Sequence, residues 1–121
     1  MKQDKKIMIA DDDIAIVDAL EMLLVDEGYS VTTTSNGDTL RKVTDTKPDL
    51  LLLDIWMSGE DGREIAKELK NKDQTKNIPI VMISASKDID KSARESGADD
   101  FLPKPFEIED LLKIVGKYIQ A

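Results

Sequence analysis

The chain has 121 residues, 25 of them acidic and 17 basic, and a formal net charge of −8. That length fits one domain, able to bury roughly two-thirds of its unfolded surface without covalent staples. With no cysteine and no histidine, the chain has no disulfide, no thiolate metal site, no histidine zinc ligand and no Ser-His or Cys-His catalytic pair, and its acidic balance argues against direct nucleic-acid binding, which relies on cationic neutralisation of phosphates.

Read in chain order, short apolar runs alternate with helix signals. The N-terminal "MKQDKKIMIADDD" holds an apolar run far too short for a signal peptide or a membrane span, so the expectation is a cytoplasmic protein with no membrane contact. Within it, "IMIA" (7–10) reads as a first strand. Asp13 is placed to cap a helix whose inward stripe is Ile16, Leu20, Leu23 and Leu24, with Gly28 as its stop. "YSVTTT" (29–34) is a half-polar strand, and "SNG" (35–37) opens a second helix that ends before Pro48. "LLLLD" (50–54) is a strand candidate with a carboxylate at its tip, followed by helical "GREIAKELK" (62–70). "IPIVMIS" (78–84) is the fourth strand, and "IDKSARESG" (89–97) a short helix with Gly97 suited to a left-handed cap. "DFLPK" (100–104) is the fifth strand. In the last helix Ile108, Leu111, Leu112, Val115, Tyr118 and Ile119 follow one face at 3.6-residue spacing.

Five strands alternating with five helices, three of the strands almost continuously apolar, predict an α/β fold in which a parallel sheet is covered on both faces. Right-handed crossovers make that a three-layer doubly wound sandwich. The flavodoxin-like order 2-1-3-4-5 is one standard solution. It puts half-polar 29–34 and Pro103 on the two edges, where each is tolerated.

Open parallel sheets bind ligands beyond the carboxyl ends of their strands. The first strand runs into Asp11, Asp12 and Asp13, the third ends on Asp54, the fourth on Ser84 and the fifth on Lys104. Each alone is ordinary: a helix cap, a turn polar, a hydrogen-bonding serine, a solvated lysine. All at the same edge of one sheet, they read as a site. Two carboxylates about 4 Å apart repel by roughly 4 kcal/mol at an effective dielectric near 20. Asp11, Asp12 and Asp54 therefore call for a cation beyond Lys104, and Mg²⁺ fits an all-oxygen donor set. A carboxylate so placed can act as a nucleophile towards phosphorus, with Mg²⁺ and lysine neutralising the transferring group and Ser84 binding one of its oxygens.

"IMIADDD", "PDLLLLDIWMSGEDG", "PIVMISAS" and "GADDFLPKPF" resemble, in order and spacing, the receiver domain of two-component response regulators, of the CheY-like kind. The resemblance covers essentially the whole chain, 1–121, as one receiver domain, and implies the same doubly wound fold. It implies that a sensor histidine kinase or histidine phosphotransfer protein donates a phosphoryl group to Asp54. Asp11 and Asp12 match the acidic pair that binds Mg²⁺, with Asp54 and the backbone carbonyl of Trp56 completing the protein ligands. Ser84 matches the switch hydroxyl, Ser84, Ala85 and Lys104 the phosphoryl-binding positions, and Phe101 the aromatic switch position. Pro105 matches a proline usually preceded by a cis peptide. A phosphorylated receiver of this kind acts by protein contact with a downstream target or output domain, as a monomer or weak dimer. It is not an enzyme acting on other molecules, but catalyses its own phosphoryl transfer and dephosphorylation.

Departures from the pattern are Ser58, where proline is frequent, the large Trp56 with Ser86 at the site's rim, and a Ser84–Gly97 stretch shorter than in many members. Two other readings compete. A dehalogenase-type aspartyl-phosphate phosphatase would carry a second aspartate two residues after its nucleophile, where this chain has Trp56. A pseudo-receiver used only for binding would lack part of the acidic pair, the acceptor or the lysine, all of which are present.

Overall fold

A single parallel sheet organises the chain in the computed structural model, which describes residues 5–35, 47–57, 59–85 and 87–119. Its strands are β1 (Lys6–Ala10), β2 (Ser30–Thr34), β3 (Leu50–Asp54), β4 (Ile80–Ser84) and β5 (Asp100–Pro103). The order across the sheet is β2-β1-β3-β4-β5, all parallel, as expected from the alternation of apolar runs and helices. The described helices are α1 (Ile14–Asp26), α2 (Gly62–Lys70), α3 (Ile89–Ser96) and α4 (Ile108–Tyr118). The second helix expected after "SNG" falls on residues 36–46, outside the described residues, as do Ser58 and Ser86.

Side-chain alternation along the central strands builds two cores. Met8, Ala10, Leu51, Leu53, Ile80 and Met82 point to one face and pack with Ile65, Ala66 and Leu69 of α2 and Ile89 and Ala93 of α3. Ile7, Ile9, Leu50, Leu52, Val81 and Ile83 point to the other and pack with Leu20 and Leu24 of α1 and Leu111 and Val115 of α4. The leucine run is thus explained: β3 is the middle strand, buried on both faces, and each leucine contributes about 1.5–3 kcal/mol on burial. Rigidity there is what holds Asp54 at the strand tip.

Helix ends follow local chemistry. The Asp13 side chain accepts from the Ile16 N–H and caps α1. At its other end Gly28 has φ 103°, while the Tyr29 N–H donates to the Leu24 carbonyl and the Gly28 N–H to the Val25 carbonyl. That is a Schellman closure, and it delivers the chain into β2. Gly97, at φ 82°, ends α3 the same way through the Ala98 N–H and the Ala93 carbonyl. Ile108 departs from the expected inward stripe. It is the first residue of α4, ahead of the sheet's cover, and is 50% exposed, while Leu111, Val115 and Ile119 carry the burial.

Candidate functional site

The register across the sheet sets the site. Ala10 pairs with Leu53 and with Thr34, Asp54 with Ile83, and Ser84 with Pro103. The residues just beyond Ala10, and Asp54, Ser84 and Lys104, therefore leave the sheet at one level. Asp11, Asp12 and Asp54 each offer a carboxylate oxygen within a span of 4.8 Å.

Asp11 is the most enclosed of them, at 4% exposure. One of its oxygens accepts from the Asp13 N–H at 2.9 Å and the other from Lys104 Nζ at 3.0 Å. Lys104 Nζ also lies 3.9 Å from Asp54 Oδ1. The lysine is anchored from behind, since its own N–H donates to the Ser84 carbonyl at 2.8 Å. Lys104 thus faces the Asp11 and Asp54 carboxylates together. Burial first, and the neighbouring Asp11 carboxylate second, push the Asp54 carboxyl up to about 6, against the opposing pull of Lys104 and of the Ile55 backbone amide. Three carboxylates with oxygens this close are the hard donor set of a divalent cation such as Mg²⁺. The cluster fits such an ion on its chemistry.

A response regulator receiver domain family model matches residues 7–116. The chain belongs to the response regulator receiver family. Among solved structures, the receiver is similar to a putative response regulator from Chloroflexus aurantiacus (33% identity, 94% of this chain and 96% of that one, TM-score 0.87). It is similar also to the chemotaxis protein CheY4 of Vibrio cholerae (30%, 95% and 98%, TM-score 0.85) and to the receiver domain of NtrX from Brucella abortus (34%, 95% and 98%, TM-score 0.84). The receiver is therefore a two-component signalling module, and its sheet order is that of the CheY fold.

The remaining residues singled out in the sequence fall around this cluster. Ser84 is buried at the end of β4 and Ala85, next to it, is exposed. Phe101, on β5, is half-buried and packs on the α2/α3 side of the sheet. The Lys104–Pro105 peptide is cis. Trp56 is 59% exposed, and its ring lies under the Arg63 guanidinium, 5.7 Å from centroid to Cζ.

The first turn of α2 was not legible as part of the site. Trp56–Met57 and Glu60–Asp61 form a two-residue antiparallel ladder, with Trp56 opposite Asp61. The Asp61 side chain accepts from the Arg63 N–H at 2.9 Å and from Arg63 Nη2 at 2.7 Å, and the Arg63 hydrogen bonds hold the Asp61 carboxyl below its usual range. The Gly62 N–H donates to the Ile55 carbonyl. Asp61 before a helical run is a readable cap signal. The backbone contact of Gly62 has no counterpart in residue type, and only the folded geometry reveals it.

Proposed function

We propose that this receiver accepts a phosphoryl group on Asp54 from a phosphohistidine of a sensor histidine kinase or phosphotransfer protein, and that the modified site alters its protein contacts. The observation that carries this reading is the meeting of Asp11, Asp12 and Asp54 within 4.8 Å, with Lys104 Nζ 3.9 Å from Asp54 Oδ1. A carboxyl near pKa 6 is ionised at neutral pH and so is available as a nucleophile. An Asp54 oxygen forms the new P–O bond as the P–N bond breaks, and the donor imidazole nitrogen leaves with the electron pair. In this reading Lys104 neutralises charge on the transferring group, and the Ser84 hydroxyl and the Ala85 backbone amide bind its oxygens. Mg²⁺, held by Asp11, Asp12, Asp54 and the Trp56 carbonyl, would supply the charge neutralisation that one lysine leaves incomplete.

The product carries about −1.5 to −2 charge and three strong acceptors where one carboxylate stood. Ser84 and Lys104 follow that charge, and Phe101, on the edge strand that leads into Lys104, follows Ser84. The receiver then shifts between two existing states rather than refolding. In this reading phosphoryl transfer and its hydrolysis are self-catalysed, the output is a protein contact, and the setting is the cytoplasm where a kinase supplies the phosphohistidine.

Trp56, the single tryptophan, provides the test. Mg²⁺ and then acetyl phosphate are titrated while its emission and the intact mass are followed, with Asp54→Asn alongside. A Mg²⁺-dependent gain of one phosphoryl mass in the wild type, absent from Asp54→Asn, is the expected result. No gain, either from acetyl phosphate or from a phosphorylated histidine phosphotransfer protein, would overturn the proposal.

A further inference from the structure

We propose that Gly62 is a positioning residue for phosphoryl transfer, acting through direct backbone contact with the Asp54–Ile55 segment. Gly62 opens α2 and is buried. Its φ is not in the left-handed region, so conformational freedom does not explain a glycine there. Space does. A methyl group on its Cα would collide with the Asp54 carbonyl oxygen and approach the Ile55 carbonyl oxygen to 3.0 Å. Its N–H donates to that same Ile55 carbonyl. Two successive carbonyls at the end of β3 are thus held against one Cα, and both atoms belong to backbone that cannot swing aside as a long side chain would.

The adjoining ladder holds Trp56, the next residue along. Asp61 pairs with Trp56, and Arg63 bridges the Asp61 carboxylate and the Trp56 ring. The start of α2 therefore fixes where β3 stops and how the Asp54 carboxylate leaves it. Helix preference alone runs the opposite way: glycine is the poorest helix former after proline, and alanine at a helical position is ordinarily the better residue. It is the close approach of the Asp54 and Ile55 carbonyls that makes alanine unfavourable at this position.

This inference rests on the phosphoryl-acceptor reading of Asp54. Its test compares wild type, Gly62→Ala and Gly116→Ala, the last being a helical glycine with open space around its Cα. Each is checked for folding by circular dichroism, then titrated with Mg²⁺ by Trp56 emission and with acetyl phosphate by intact mass. Gly116→Ala should match wild type in both. Gly62→Ala, at a temperature where it is fully folded, should bind Mg²⁺ about 10- to 100-fold more weakly, as when a group supporting a metal ligand is lost. Its phosphorylation at saturating Mg²⁺ should slow by up to about 10²-fold, the cost of a displacement near 1 Å. A folded Gly62→Ala with wild-type affinity and rate would overturn the inference. If Gly62→Ala does not fold, the Gly62 amide resonance of the ¹⁵N-labelled wild type decides: it should shift on Mg²⁺ addition and again on phosphorylation, and a resonance that stays put overturns the inference. A wild type that binds Mg²⁺ but never gains the phosphoryl mass would overturn the acceptor reading instead, and with it the catalytic role given to Gly62.

Discussion

Asp54 carries its charge against its surroundings. Its carboxyl is pushed from 3.8 to about 6 by burial and by Asp11, so the folded chain holds this proton more tightly than the unfolded chain does. Stability then falls as pH rises from about 4 to about 6, and above that range the ionised carboxylate costs at most about 3 kcal/mol. In a chelating buffer at pH 7, Asp54→Asn should therefore melt several degrees above wild type, and the difference should vanish near pH 4. Thermal denaturation at the two pH values checks both halves. An Asn variant no more stable than wild type at pH 7 would mean that Lys104, 3.9 Å away, already offsets the burial. The same carboxylate that is uncomfortable without a partner is the one proposed to react, in keeping with burial next to like charge as a mark of functional sites.

Elements hold these residues at the carboxyl edge of the sheet, and at the opposite edge α4 is tied to the start of β5 by a polar cluster. Asp100 on β5 accepts from the Phe101 N–H at 2.9 Å, from Lys117 Nζ at 3.0 Å and from the Tyr118 hydroxyl at 3.0 Å. Burial works to raise the Asp100 carboxyl, but these donors outweigh it and hold it below its usual range. A carboxyl lowered by folding stabilises above its unfolded pKa and loses that contribution as pH falls through the folded one. Asp100→Asn should lower stability at pH 7 by about 1 kcal/mol, since the Lys117 side chain is largely exposed and its charge is screened by solvent. Urea denaturation should show the two proteins converging below about pH 4. In the same helix Gly116 has open space around its Cα, and Gly116→Ala should raise stability by about 0.5–1 kcal/mol in the same assay. Most of these elements were legible because burial on two faces leaves continuous apolar runs, and because Asp13, Gly28 and Gly97 announce helix ends. The edge position of β2 was legible from its threonines and that of β5 from Pro103. The ladder of 56–57 with 60–61 was not, since two-residue strands carry no periodicity. Ile108 misled because a helix's first residue can share a face by spacing and still lie ahead of the core. Strand-end residue types made the acidic cluster readable. Gly62 stayed hidden because close approach of two backbones leaves no mark in side-chain chemistry.

At the scale of the whole molecule, Lys104 ties together the carboxyl ends of β1, β3, β4 and β5, through its ammonium group and its backbone amide. Lys104 pairs with buried Asp11 at 3.0 Å and is itself tied to β4 through the Ser84 carbonyl. Removing one partner of such an enclosed pair strands a charge, at a cost of about 3–5 kcal/mol. Lys104→Ala should accordingly melt well below wild type in chelator, by more than any exposed lysine variant. A divalent cation bound among the same carboxylates would supply positive charge from outside the chain, and a ligand that binds only the folded state stabilises by RT ln(1 + [L]/Kd). Mg²⁺ should therefore raise the melting temperature of Lys104→Ala by more than it raises that of wild type, and should leave Asp11→Asn and Asp54→Asn almost unmoved. Differential scanning calorimetry across a Mg²⁺ series separates the cases. If Lys104→Ala is destabilised and Mg²⁺ does not restore it, the lysine's role is structural bracing of β5 alone. Restoration would mean that lysine and metal act on the same negative charge, so that the stability of the sheet's edge and the phosphoryl chemistry proposed for it are set by one balance.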